Sequence, residues 1–244
     1  MTHDFTGLTA LVTGAARGIG RATALTLHAR GAYVVASDLR ETVHELATDG
    51  IATLVGDIAE ESTAERSVAL ATARFGGLDI LVNNAGRTMN KPLVETTAAD
   101  WDAVMAINAR GTFLHAREAI KAMLKTGGVI VNVASIVAQV AMKETAVYAA
   151  SKGAIAQLTK VIAVEYGSHG IRANAVLPGV IETDILEGIV PDSRATLASY
   201  ASAHPLGRVG QPQDIAEVIA FLASPASTFM TGALVTADGG FTAL

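Results

Sequence analysis

This sequence predicts an α/β fold: a doubly wound parallel sheet of about seven strands, flanked by helices on both faces, in a single domain. Three observations predict it. Short apolar runs recur along the 244 residues, several of them Val/Ile-rich and unalternated, as strands covered on both faces read. Stretches with helical periodicity lie between them, so strand and helix alternate throughout. The first apolar run leads directly into a glycine-rich turn that opens the first helical stretch, the arrangement of a Rossmann-type fold.

The strands are expected at 8–13, 32–37, 51–55, 80–83, 128–134, 172–176 and 233–236. Runs such as Tyr33-Val34-Val35-Ala36 and Val129-Ile130-Val131 are the clearest. Helices are expected at 19–30, 41–49, 60–75, 99–125, 147–169, 193–203 and 212–223. Glu60-Glu61 places negative charge at the start of the third of these, where it favours the helix dipole. No linker, low-complexity tract or fixed-period repeat divides 1–244, which reads as one domain. The rhythm breaks once, between Pro178 and about Gly210, around one weak helix. A connection this long after a strand's carboxyl end reads as a lid, assigned to 184–210.

Composition narrows the function. Hydrophobic residues make up 50% and charged residues 17%, which fits a chain with a sizeable core. The net charge of −5 favours neither nucleic acid nor an anionic membrane as partner. The absence of cysteine excludes disulfides, thiolate metal sites and a cysteine nucleophile. The start of the chain shows no basic-then-apolar leader, and no apolar stretch is long enough to span a bilayer. The expectation is a cytoplasmic protein without a membrane partner. His3, His28, His44, His115, His169 and His204 show no ligand spacing with carboxylates, so no metal site is expected. His204 falls in the expected lid and reads as an exposed loop histidine. Trp101 and Phe113 read as core or interface packing, and Asp238 as a turn residue.

The chemistry begins at Thr13-Gly14-Ala15-Ala16-Arg17-Gly18-Ile19-Gly20. Glycines there let the backbone turn tightly and approach a pyrophosphate, while the helix that follows offers free N–H groups. The spacing G-x-x-x-G-x-G also fits a plain strand-to-helix turn; its place after the first strand favours the nucleotide. The second strand ends at Asp38, followed by Leu39. A carboxylate about 20 residues past the glycines accepts the adenosine ribose hydroxyls and repels a 2′-phosphate, which predicts NAD over NADP. Arg17 and Arg40 lie near enough to oppose that choice, and Asp38 also fits a turn or cap.

Tyr148 and Lys152, four residues apart, emerge from one helix face one turn apart. An ammonium beside a phenol lowers its pKa. Lowering it by about three units takes roughly 4 kcal/mol of differential stabilisation. That would make Tyr148 a proton acceptor for an alcohol, with the Ser135 hydroxyl orienting the substrate oxygen.

Taken together, Thr13–Gly20, Asn83-Asn84-Ala85-Gly86, Asn108, Ser135, Tyr148-x-x-x-Lys152, Pro178-Gly179 and Asp238-Gly239-Gly240 resemble the short-chain dehydrogenase/reductase family in its one-domain form, over nearly the whole chain. The resemblance implies a catalytic set of Asn108, Ser135, Tyr148 and Lys152. Asn108 would position a water that relays protons from Lys152, and Lys152 would also bind the nicotinamide ribose. Asn83, Asn84, Ala85 and Gly86 would pass beside the adenosine ribose. Asp57 and Ile58 would contact the adenine. Pro178, Gly179, Ile181 and Thr183 would lie at the nicotinamide, Thr183 being placed by spacing alone. It also implies a homotetramer built on the two long helices, with the terminal Phe241-Thr-Ala-Leu244 in an interface.

The substrate side is expected from 136–147 and the lid. The first stretch is mostly apolar, with Gln139, Lys143 and Glu144 as polar members, which fits a small or medium alcohol or ketone. Two other readings stand beside this one. One is an NADPH-dependent 3-oxoacyl-[acyl-carrier-protein] reductase, opposed by Asp38 and the acidic balance. The other is a nucleotide-binding sensor without catalysis, opposed by the intact Ser135, Tyr148, Lys152 and Asn108.

Overall fold

A computed structural model describes residues 4–243; Met1–His3 (and with them His3) and Leu244 lie outside the described residues. Seven strands form one all-parallel sheet in the order β3-β2-β1-β4-β5-β6-β7. They are β1 (Thr9–Thr13), β2 (Tyr33–Asp38), β3 (Ile51–Val55), β4 (Ile80–Asn83), β5 (Gly128–Val133), β6 (Ile171–Pro178) and β7 (Leu234–Ala237). Register runs Val12↔Ala36 on one side of β1 and Val12↔Val82 on the other. The chain therefore winds outward in two directions from the β1/β4 boundary. A crevice opens there at the carboxyl ends of the strands.

Alternation along each strand builds two cores. Ala10 and Val12 of β1, Val34 and Ala36 of β2, and Val131 and Val133 of β5 face one side. There they meet Ala24 and Leu27 of α1 (Gly18–Ala29) and Ile215, Ile219 and Ala220 of α7 (Pro212–Ala223). Leu11, Val35, Leu81 and Ile130 face the other side. They are covered by α2 (Glu61–Phe75), by Ala119 and Met123 of α4 (Gly111–Met123), and by Ile162 and Ala163 of α5 (Ala146–Tyr166). No helix among the described residues is long and apolar enough to cross a membrane.

The expected helix at 41–49 is instead a 3₁₀ turn, Glu41–Leu46, after which Thr48 pairs back onto Ile51. Only Val43 and Leu46 of that turn are buried. A three-residue spacing matches three residues per turn, and nothing else on the segment rewards a longer α-helix. The expected helix at 99–125 comprises α3 (Ala98–Met105), a π-helical turn (Ala106–Arg110) and α4. The expected 193–203 helix is the short α6 (Ser193–Ala198) followed by a 3₁₀ turn. Trp101 and Phe113 stand exposed on α3 and α4, so they are not core residues.

Among the described residues, two histidines are buried. His204 is 3% exposed, its Nδ1 is 2.7 Å from the Tyr200 carbonyl, and its ring packs on Phe241; it is not the exposed loop residue expected. His115 on α4 is fully buried, with Nδ1 3.1 Å from the Gly111 carbonyl and no partner for Nε2. Nδ1 must carry the proton to bond a carbonyl, which leaves Nε2 bare. Burial depresses its pKa to about 4. The folded chain then binds fewer protons than the unfolded chain between about pH 6.5 and 4. The stability linked to the neutral ring is complete above pH 6.5 and lost as pH falls toward 4, by up to about 3 kcal/mol. A His115→Leu variant should show a flatter fall in denaturant stability across that window than the wild type.

Candidate active site

Two adjoining cavities sit over the carboxyl ends of the strands. The first, about 410 Å³, is lined by Gly14 and Arg17 from the β1–α1 turn, by Gly18 and Ile19 at the start of α1, and by Asp38 at the end of β2 and Leu39 after it. Asp57 and Ile58 after β3 and Asn84, Ala85 and Gly86 after β4 complete its floor. The second, about 200 Å³, holds Ser135, Tyr148, Lys152, Pro178, Gly179 and Ile181. Ile19, Asn84, Gly86, Arg87, Thr183 and Ile185 line both, so the cavities are continuous.

The turn of the first cavity depends on its glycines. Gly14 has φ +67°, and a Cβ there would lie 2.8 Å from the Ala85 Cα. Gly18 also has positive φ and faces Thr183. Gly20 does not line the cavity. Its role is packing: a Cβ there would collide with the Gly14 carbonyl and the Asn84 amide. The ends of β1 and β4 are clasped together at this point. Thr13 Oγ1 accepts hydrogen bonds from the Asn84 and Ala85 N–H groups, both at 3.1 Å, and Asn84 Nδ2 donates to the carbonyls of Thr13 and Gly14. Helix α1 starts with no side-chain cap and no acidic residue in its first turn. Its free N–H groups are thus left for an anion. An uncapped helix start, a glycine cradle and a carboxylate one strand over fit a dinucleotide.

Asp38 accepts from the Ala16 N–H at 2.9 Å and the Arg40 N–H at 3.0 Å, which fixes its carboxylate at the cleft. Asp57 accepts from the Ala59 N–H. Asn83 does not reach the cleft. It is buried, and its Nδ2 donates to Asn132 Oδ1 at 2.9 Å. Asn132 in turn donates to Thr159 Oγ1 on α5. The expectation that Asn83 would pass beside a ribose is therefore replaced by a structural role, since alternation turns the last strand residue inward.

Ser135 caps the turn after β5, its Oγ accepting from the Val137 N–H, and shares a hydrogen bond with the Tyr148 hydroxyl. Tyr148 lies in the first turn of α5, and Lys152 one turn on donates to the Val133 carbonyl at 2.8 Å. The Lys152 amine is 5.6 Å from the Tyr148 ring centroid. Burial lowers the Lys152 pKa to about 8. Burial also raises the phenol, against the Ser135 hydrogen bond, to about 12. At the phenol, loss of water outweighs the Ser135 hydrogen bond.

Asn108 lines neither cavity. It is fully buried in the π-helical turn, and its side chain is committed inside the protein. Oδ1 accepts from the Arg87 N–H, and Nδ2 donates to the Arg87 carbonyl and to Ser151 Oγ, all at 2.9 Å. Its own carbonyl accepts from Thr112 Oγ1. Met142, Ile136 and Val137 line the second cavity as the sequence indicates, joined by Ile185, Leu186, Leu197 and Tyr200 from 184–210. Gln139, Lys143 and Glu144 do not line it; Gln139 bonds Thr236 instead. Sequence reasoning missed Arg87, Thr88 and Asn90. The signal was a polar loop at the carboxyl end of β4, where such sheets bind ligands.

Comparison with known proteins decides the family. The family described as Enoyl-(Acyl carrier protein) reductase matches residues 14–242. The chain belongs to the short-chain dehydrogenase/reductases. It is 40% identical to cis-4-hydroxycyclohexanecarboxylate dehydrogenase of Sinomonas cyclohexanicum, over 100% of both chains. It is 41% identical to 2,5-dichloro-2,5-cyclohexadiene-1,4-diol dehydrogenase of Sphingobium indicum, over 99% of both. Among solved structures, a short-chain type dehydrogenase/reductase from Mycobacterium marinum matches with a TM-score of 0.92 at 31% identity, covering 99% of this chain and 98% of that one. The chain is thus an oxidoreductase of a family that uses NAD(P).

Gly20→Ala should destabilise the fold by about 1–3 kcal/mol, the usual cost of overpacking, and weaken nucleotide binding with it. Denaturant unfolding and nucleotide fluorescence titration of the same variant check both effects.

Proposed function

We propose that this protein is an NAD(H)-dependent dehydrogenase acting on secondary alcohols and the corresponding ketones, with cyclic alcohols as its preferred class. The observation that carries the reading is the meeting of Ser135, Tyr148 and Lys152 in one cavity that continues into the glycine-lined cleft. When bound, the nicotinamide supplies or accepts the hydride. The chain's own residues handle the proton. Ser135 hydrogen-bonds the substrate oxygen and holds it at Tyr148, whose phenolate takes the alcohol proton during oxidation and whose phenol returns it during reduction. Lys152, held by the Val133 carbonyl, supplies the nearby positive charge whenever it is protonated. Asn108 acts by fixing the backbone of Arg87 and the start of α5 through Ser151. Any part it has in a water relay falls to its surrounding backbone.

Several features support NAD over NADP. Asp38 lines the cleft where a 2′-phosphate would need space and positive charge. Arg17 and Arg40, the cations able to pair with such a phosphate, each lie in ion-pair range of Glu187 from the 184–210 segment. That segment is best read as a lid, since it contributes side chains to both cavities. Cyclic alcohols are favoured by the names of two relatives and by the apolar walls of the second cavity. The 3-oxoacyl-[acyl-carrier-protein] reductase reading has in its favour a relative of that name from Thermotoga maritima, 38% identical over 96% of this chain. Asp38 and a net charge of −5 count against it. Assembly into a homotetramer fits the exposed Phe113, Val161 and Val164 of the two long helices.

Asp38→Ala should shift the ratio of kcat/KM for NADP over NAD upward by at least tenfold, read with one alcohol and both nucleotides; an unchanged ratio removes Asp38 as selector. The Lys152–Tyr148 pair loses its first proton near pH 8 in the free protein. Oxidation needs the deprotonated pair, so kcat/KM for the alcohol should rise with pH through about 8. Lys152→Met should remove that limb and leave the phenol's own ionisation near 12. Tyr148→Phe should lower kcat by roughly 10²–10⁴, with NAD affinity by fluorescence unchanged.

A further inference from the structure

The charge inventory of the second cavity is one-sided. Among the described residues, two basic ones, Arg87 and Lys152, line it, and no carboxylate does. Lys152 is buried and committed to the Val133 carbonyl. Arg87 is different. Among the described residues its guanidinium has no ion-pair or hydrogen-bond partner, which it shares with Arg21, Arg74 and Arg110, but Arg87 alone of these lines the cavity.

The backbone carrying this cation is fixed from inside the protein. Fully buried Asn108 bonds both the N–H and the carbonyl of residue 87, which fixes where the side chain leaves the loop. The preceding Gly86 packs against Asn108 and lies near the Lys152 amine, so the loop runs along the catalytic helix. Besides Ser135, Tyr148 and Lys152, the cavity offers the polar Asn84, Thr88, Asn90, Thr145, Thr183 and Tyr200, and an apolar wall that includes Val137, Met142, Leu186 and Leu197. A guanidinium at the mouth of an apolar cavity selects a ligand with an anionic end and an apolar body.

We propose that Arg87 binds a carboxylate on the substrate, so that the enzyme's substrates are hydroxy acids: a carbinol at Ser135 and Tyr148, a carboxylate at Arg87, and an apolar ring or chain between them. This deepens the dehydrogenase reading above and rests on it. Arg87 is then a specificity residue that touches substrate and takes no part in the proton transfer. The competing role for this side chain is pairing with the dinucleotide's phosphates, because it also lines the first cavity.

The test compares 4-hydroxycyclohexanecarboxylate with its methyl ester, using the full chain and NAD. The wild type should prefer the acid by at least about tenfold in kcat/KM. Arg87→Gln should lower kcat/KM for the acid roughly ten- to hundredfold, mostly through KM, as loss of a charge-assisted pair does. It should leave the ester unchanged and NAD affinity by fluorescence unchanged. Arg87→Lys should recover part of the loss. Equal turnover of acid and ester by the wild type, with the ester oxidised, overturns the carboxylate assignment and leaves the dehydrogenase reading standing. Equal losses for acid and ester in Arg87→Gln, or a matching loss of NAD affinity, assign Arg87 to the nucleotide and also overturn it. No NAD reduction by either compound, or by other alcohols and ketones in both directions, overturns both readings.

Discussion

The arrangement depends on keeping one amine out of water. Lys152 is 4% exposed and has a single carbonyl as its hydrogen-bond partner. A buried cation with one partner is costly, and the amine responds by giving up its proton more readily. To keep the group there at all, α5 must be seated against the sheet without slippage. Apolar packing alone tolerates some sliding, because Ile155, Ile162 and Ala163 meet other aliphatic groups. The polar tethers do not. Ser151 takes the Asn108 amide beside Lys152, and Thr159 takes the Asn132 amide two turns on, with Asn83 behind it. Each bond is satisfied only in one register, so the network fixes where residue 152 points.

The nucleotide side is held by a different device. At the β1/β4 boundary the two halves of the sheet diverge, and their carboxyl ends would splay without a cross-link. The Thr13 hydroxyl and the Asn84 amide supply it, each serving two backbone groups. That clasp brings Gly14 and Gly20 so close to residues 84 and 85 that no side chain fits between them. The glycines therefore have two separate duties. Gly14 and Gly18 permit the turn and the open floor, while Gly20 permits the clasp.

The strands were legible because a parallel sheet buried on both faces reads as continuous apolar runs, and each run falls within two residues of its strand. The Tyr148–Lys152 pair and the glycine turn were legible because their geometry is local to one helix and one turn. Other features were not local. Asn83 and Asn84 are adjacent and chemically identical, and only the end of β4 decides that one turns inward and the other toward the cleft. The 41–49 segment carries helical composition, yet only Val43 and Leu46 have a core to meet. The widened turn at 106–110 follows from what Asn108 must reach across space, on a loop 21 residues away. His204 is covered by the carboxyl-terminal turn, which no local pattern near it announces.

The pKa values of the pair carry the remaining lesson. Side-chain proximity argues for an acidified phenol, and burial argues for a weaker acid and a weaker base together. In the free protein burial prevails, so the neutral phenol and a readily deprotonated amine are the stable partners. The ammonium–phenolate form differs from them by one internal proton shift. Because the site has a low dielectric, a positive charge arriving on the phenol's side is felt strongly and moves that balance toward the phenolate. The same burial that weakens both groups is what makes their balance responsive to a charge brought in through the adjoining cleft.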